Sequence, residues 1–251
     1  MLKLAVLLWL GFGLCAGLGA AEYNINLNLT DAGLKAYRYA PAFSGQGPFA
    51  IVTAAGWRQY YYYVPVGADI RSPVLILLHG AGRDGRSMID TWKGVADQHR
   101  IRLLAPNGER RNWSLQAARE GNLLQQMLRA VYPDMAGKPV YLCGHSNGAR
   151  MALRLVAAYP QAFAAVAVHG GTEPGLTLPA RAQHLPALAL FLGDRDAIFS
   201  VASGRTTVGR FEEAGFAASL YVLQNHTHWY YSDAQRINKS IWAFLARQLP
   251  R

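Results

Sequence analysis

The chain has 251 residues, 51% of them hydrophobic and 16% charged, with a net charge of +10 and two cysteines. That length and apolar content suit one α/β domain with a sizeable core, and so low a charge content excludes a disordered chain. The basic residues are scattered and no nucleic-acid motif accompanies them, so no nucleic acid is expected as a partner and the charge reads as a surface suited to anionic surroundings.

Taken in chain order, residues 1–21 read as a secretory signal peptide. Lys3 supplies a positive charge, 4–14 is an apolar run, and Gly19, Ala20 and Ala21 place small residues before a cut after Ala21. The run is short for a membrane span, and no later stretch is long enough for one. A secreted or periplasmic protein follows, the alternative being an uncleaved N-terminal anchor. Cys15 leaves with the leader. Cys143 then remains alone, so no internal disulfide is expected and Cys143 reads as a small buried hydrophobe.

Residues 22–251 read as a single domain in which strand-like and helix-like stretches alternate. Strands are predicted over 59–66, 74–78, 101–105, 140–143, 163–168, 188–192 and 219–223. Helices are predicted over 87–99, 121–132, 149–159, 201–214 and 234–249. Continuous apolar runs between helices predict a mostly parallel sheet with helices on both faces.

Gly144-His145-Ser146-Asn147-Gly148 fits the Gly-x-Ser-x-Gly pattern, and it stands between an apolar strand and a helix-forming run. A serine on so sharp a turn needs glycine two positions to either side, because larger side chains would strike the adjoining strand and helix. The alternative is a glycine-rich turn without chemistry. His79-Gly80-Ala81-Gly82 follows the run 74–78. Such a loop supplies one backbone N–H to an oxyanion hole, here Ala81 first and Gly82 second, with Asn147 supplying the other.

An acid is expected late in the chain, after the strand 188–192, where Asp194 and Asp196 are both candidates. A histidine base is expected after it, at His226 or His228 behind the strand 219–223. His184 precedes the acid, His169 stands at the end of the preceding strand, and His145 points away as a neighbour of the serine. Two histidines so spaced could share a metal ion, but no third ligand stands out and no metal is expected. Trp113, Trp229, Tyr230 and Tyr231 read as packing residues or pocket walls.

Residues 74–82, 141–152 and 163–167 resemble the oxyanion strand, nucleophile segment and following strand of the esterase/polyhydroxybutyrate-depolymerase group of the α/β-hydrolase superfamily, over about 56–250. The resemblance implies an α/β-hydrolase fold and a serine esterase that uses no cofactor. Its partners would be small or polymer-linked esters. Peptide or amide hydrolysis on the same scaffold and a non-catalytic binding protein are the alternatives. The group's Gly-x-x-Asp loop selects Asp196, and its His-x-Tyr-Tyr segment selects His228 with His226 as the alternative base. The chain departs from polymer-degrading members in having no linker, no polymer-binding domain and no mature disulfide, which favours small or polysaccharide-linked esters.

Overall fold

Runs such as Val74–Leu78 and Val140–His145 are apolar along their whole length because they are buried on both faces. In a computed structural model the described residues are 21–29, 39–42, 45–53, 56–135, 140–179 and 185–248. They form strands β1 (Ala21–Ile25), β2 (Gln46–Thr53), β3 (Gly56–Tyr63), β4 (Val74–Leu78), β5 (Arg102–Pro106), β6 (Val140–His145), β7 (Phe163–His169), β8 (Ala187–Gly193) and β9 (Ala218–Leu223). The helices are α1 (Gly85–His99), α2 (Ala117–Val131), α3 (Asn147–Ala158), α4 (Val201–Glu213) and α5 (Ala234–Ala246).

All the strands join one sheet in the order β1-β9-β8-β7-β6-β4-β5-β3-β2. β3 runs antiparallel to β2 and β5, and every other pairing is parallel. Side chains alternate across it. Leu142, Val166, Val168, Leu190 and Leu192 pack with α2, α3 and α4, whereas Cys143, Ala165, Ala167, Ala189 and Phe191 face α1 and α5. The small residues on that second face make room for Trp92, Tyr230 and Trp242. Cys143 is a free, buried thiol, and burial pushes its pKa up, away from reactivity.

Two strands were not anticipated. β1 holds its place by pairing with β9, from Ala21 opposite Ser219 to Ile25 opposite Leu223, and by an ion pair from Glu22 to Arg205 at 2.7 Å. Its mixture of Asn and Ile carries no apolar run to read. β2 lies along the outer side of β3, where pairing on one side alone leaves its residues exposed and the periodicity weak. β3 starts at Gly56 and ends at Tyr63, not at 66, because Pro65 opens a turn closed by the Ala68 N–H on its carbonyl at 3.1 Å. α2 starts at Ala117, before the expected 121. Gly121, at the expected start, is a packing glycine inside α2: a Cβ there would come within 2.9 Å of the Tyr159 ring.

The expected leader up to Ala20, with Lys3 and Cys15, lies outside the described residues, as does His184. Among the described residues no helix is long and apolar enough to cross a membrane.

Candidate active site

The carboxyl ends of β4, β6, β7, β8 and β9 lie side by side in the sheet, so the loops that follow them meet at one end of the strands. Ser146 stands between β6 and α3 with φ 54° and ψ −117°, a conformation costing on the order of 1–3 kcal/mol. Its N–H donates to the His169 carbonyl at 2.9 Å, which fixes the turn to β7. The flanking glycines answer to close approach. A Cβ on Gly144 would stand 2.3 Å from the Gly148 carbonyl oxygen, and one on Gly148 would stand 2.2 Å from that of Leu78.

Three of the residues singled out from the sequence meet in one row. His228 Nε2 is 2.9 Å from Ser146 Oγ, and His228 Nδ1 is 2.8 Å from Asp196 Oδ2. The Asp196 side chain has no exposed surface, and its Oδ1 accepts the N–H groups of Ile198 and Phe199 at 2.8 and 2.9 Å. Burial works to raise its pKa. The His228 hydrogen bond and charge and the two backbone donors outweigh burial and hold the carboxyl below its usual range. Gly170, at φ 58°, runs beside this row, where a Cβ would come within 3.1 Å of His228 Nδ1.

Asp194 lies outside the row. Its Oδ1 accepts the His226 N–H at 3.1 Å, while the Asp194 and Arg195 N–H groups donate to the carbonyls of Leu223 and His226. Asp194 thus joins the loop after β8 to the loop after β9, setting Asp196 and His228 at their common distance.

His226 also faces elsewhere, because a left-handed Asn225 (φ 58°) ends the extended run before the two histidines. His226 Nε2 is 2.9 Å from His169 Nε2, and His169 Nδ1 is 3.0 Å from His145 Nδ1. Each contact needs one protonated and one bare nitrogen, so three neutral rings in alternating tautomers satisfy both. Burial holds all three neutral: His226 is lowered to about 4, and His145 and His169 well below the usual range. His145 stacks on Tyr230 at 4.8 Å between centroids and at 5.3 Å from the His228 ring, so the array backs the row without entering it. Sequence reasoning gave His169 no role. The available signal was its place at the end of the strand beside the Ser146 turn, followed by Gly170-Gly171. Among the described residues no cluster of His, Cys, Asp or Glu could hold a metal ion.

The loop after β4 is pinned from several sides. The Gly108 N–H donates to His79 Nε2 at 2.9 Å, which leaves the proton on Nδ1 to bond the Gly80 carbonyl at 2.8 Å. Burial lowers His79 to about 4, keeping that tautomer neutral. Trp113 Nε1 donates to the His79 carbonyl at 2.8 Å, and its backbone N–H to Asn147 Oδ1 at 2.7 Å. The Gly82 N–H is taken by the Arg111 carbonyl at 2.9 Å, so Gly82, the second choice of donor, is occupied. Ala81 precedes it on the exposed crest, and Asn147 opens α3. Tyr230 and Tyr231 are buried packing residues, whereas Trp229 is half-exposed beside His228. Among the described residues a cavity of about 730 Å³ lies between α2 and α3, lined by Leu124, Leu155, Tyr159 and Phe163, by the amino-terminal ends of β6 and β7 and so at the other end of β6 from Ser146.

No family model matches the sequence, and no curated protein matches it. Solved structures do match the fold. The chain is similar to a thermostable esterase at 16% identity and a TM-score of 0.63, over 82% of this chain and 62% of that one. It is similar to LpqC, a poly(3-hydroxybutyrate) depolymerase from Bordetella parapertussis, at 22% identity and a TM-score of 0.55, over 88% and 99%. Esterase PE8 matches at 22% identity and a TM-score of 0.61, over 75% and 97%. The chain thus spans less than two thirds of the length of the first of these and nearly all of the other two. The fold is that of the α/β hydrolases. These three neighbours are esterases and a depolymerase, and others that share the fold are a poly(aspartic acid) hydrolase from Sphingomonas and a putative dipeptidyl aminopeptidase IV from Bacteroides ovatus.

Proposed function

We propose that the protein is an exported serine hydrolase of carboxylic esters. The observation that carries the reading is the row Asp196 Oδ2, His228 Nδ1, His228 Nε2 and Ser146 Oγ, with contacts of 2.8 and 2.9 Å. Ser146 Oγ attacks the ester carbonyl carbon and gives its proton to His228 Nε2. Asp196 stabilises the imidazolium that forms. The carbonyl oxygen becomes an oxyanion held by the N–H groups of Ala81 and Asn147. Collapse breaks the bond to the alcohol oxygen, which takes the proton from Nε2. Water then attacks the acyl-enzyme with the same base, releasing the acid and restoring Ser146.

Export rests on the composition of the first 21 residues alone. Triad geometry does not separate esters from amides, so the test is a panel of chromogenic esters of graded acyl length beside matched peptide amides. Turnover of the esters with little on the amides supports the reading. A preference for the amides would replace it with a peptidase.

A further inference from the structure

We propose that the site selects esters carrying a carboxylate, which Arg83 and Arg111 bind at the two flanks of the loop after β4. The inference rests on the esterase reading and names its substrate class.

Arg83 follows Gly82 directly and is half-buried. Its guanidinium carbon lies 4.7 Å from the ring centroid of Tyr231, 5.3 Å from that of Trp229 and 5.6 Å from that of Tyr39. Nη1 donates to the Tyr39 carbonyl at 3.0 Å. Three rings and a carbonyl hold the head in place, so little side-chain entropy remains to be lost when an anion binds. None of these partners is a carboxylate. Tyr231, beneath the guanidinium, lies 5.8 Å from the His145 ring, which lies 5.3 Å from that of His228, so two rings link Arg83 to the reacting row.

Arg111 flanks the same loop from the other side. Its carbonyl accepts the Gly82 N–H, and at buried His79 its charge opposes that of Asp84, which acts the more strongly of the two. Arg110 and Arg111 are both exposed, with left-handed φ of 48° and 60°. Non-glycine residues are held in that region only where the surroundings dictate it.

The carboxylates nearby are engaged elsewhere. Asp84 caps α1 and pairs with Arg86. Glu109 pairs with Arg58 and Arg119, Asp194 holds the His226 N–H, and Asp196 holds His228. Among the described residues no carboxylate pairs with Arg83, Arg110 or Arg111, in contrast to Arg102, Arg150 and Arg154. The loop after β4 is therefore flanked by guanidinium groups that no described carboxylate holds, which attract anions and offer fork-shaped donors to a carboxylate. Across the row the wall is apolar: Ile198 is 64% exposed, and the Phe199 ring lies 5.6 Å from that of His228. An ester with one apolar arm and one anionic arm fits both sides.

The experiment compares kcat/KM within two matched pairs: 4-acetoxybenzoate against its methyl ester, and mono-4-nitrophenyl adipate against 4-nitrophenyl hexanoate. Reading a ratio divides out general losses of activity. The anionic member of at least one pair should be favoured about tenfold at low salt, and the ratio should fall to near one in the Arg83→Gln, Arg111→Gln double variant or in ~1 M salt. A ratio of one or less in both pairs, or a preference that survives the double substitution, overturns the proposal. Calorimetry with adipate separates this inference from the esterase reading. Binding that the double variant loses, in a protein that turns over no ester, would uphold the anion site and remove the esterase. Turnover of neutral esters with no adipate binding would do the reverse.

Discussion

His226 and His228 stand two residues apart and engage different partners: His228 Nε2 lies 2.9 Å from Ser146 Oγ, and His226 Nε2 lies 2.9 Å from His169 Nε2. In an extended segment both rings would share one face of the chain. The turn at Asn225 and the Asp194 carboxylate on the His226 N–H aim them apart. His228→Ala should therefore lose nearly all ester turnover, by several orders of magnitude. His226→Ala should keep a measurable fraction. Steady-state rates on folded variants, checked by circular dichroism, decide it, and the opposite ranking would make His226 the base.

The two aspartates differ in the same way. Asp196→Asn removes the charge facing the imidazolium and offers an amide where His228 Nδ1–H needs an acceptor. Turnover should fall by about 10⁴-fold with the fold intact. Asp194→Asn keeps an oxygen for the His226 N–H and should cost less than about tenfold. Should Asp194→Asn do the greater damage, the two roles are exchanged.

The sites where packing leaves the sequence least choice were legible. Gly144 and Gly148 announce the Ser146 turn because nothing larger fits there, and the apolar runs at Val74–Leu78 and Ala187–Gly193 announce central strands. Sequence order confined the acid and base to two pairs, and resemblance chose within each. The histidine array stayed hidden because its contacts join β6, β7 and the loop after β9, residues as much as 57 apart in sequence. β1 and β2 stayed hidden because they lie at the two edges of the sheet, where partner strands supply the stability that local pattern does not.

Buried neutral histidines give stability a defined pH dependence. His79 and His226 are lowered by burial from 6.5 to about 4, and the nearby carboxylates of Asp233, Asp196 and Asp194 do not offset burial at His226. Between those pH values the unfolded chain binds protons that the folded protein refuses, so stability falls as pH drops from 6.5 toward 4 and is unaffected by these groups above 6.5. Each contributes up to about 3 kcal/mol. Asp196, lowered from 3.8, acts only below that window. Urea midpoints taken from pH 7.5 down to 4.5 should decline, less steeply in His226→Asn. A flat profile would contradict the neutral, buried state of these rings.

Export is read from Lys3, the apolar run and the small residues ending at Ala21. Protein recovered from outside the cytoplasm should begin at Glu22 or one residue earlier by intact mass. Glu22, which pairs with Arg205, stays with the mature chain under that cut. Soluble cytoplasmic protein still carrying Met1 would contradict a cleaved leader.

The central claim is that Ser146 is a nucleophile activated by His228 and Asp196. Labelling by a fluorophosphonate probe reads it most directly, because the probe bonds only to an activated hydroxyl. The wild-type protein should label at a single site that peptide mapping assigns to Ser146, and Ser146→Ala should neither label nor turn over ester. Undiminished labelling of Ser146→Ala, or a folded wild-type protein that does not label, would contradict the account.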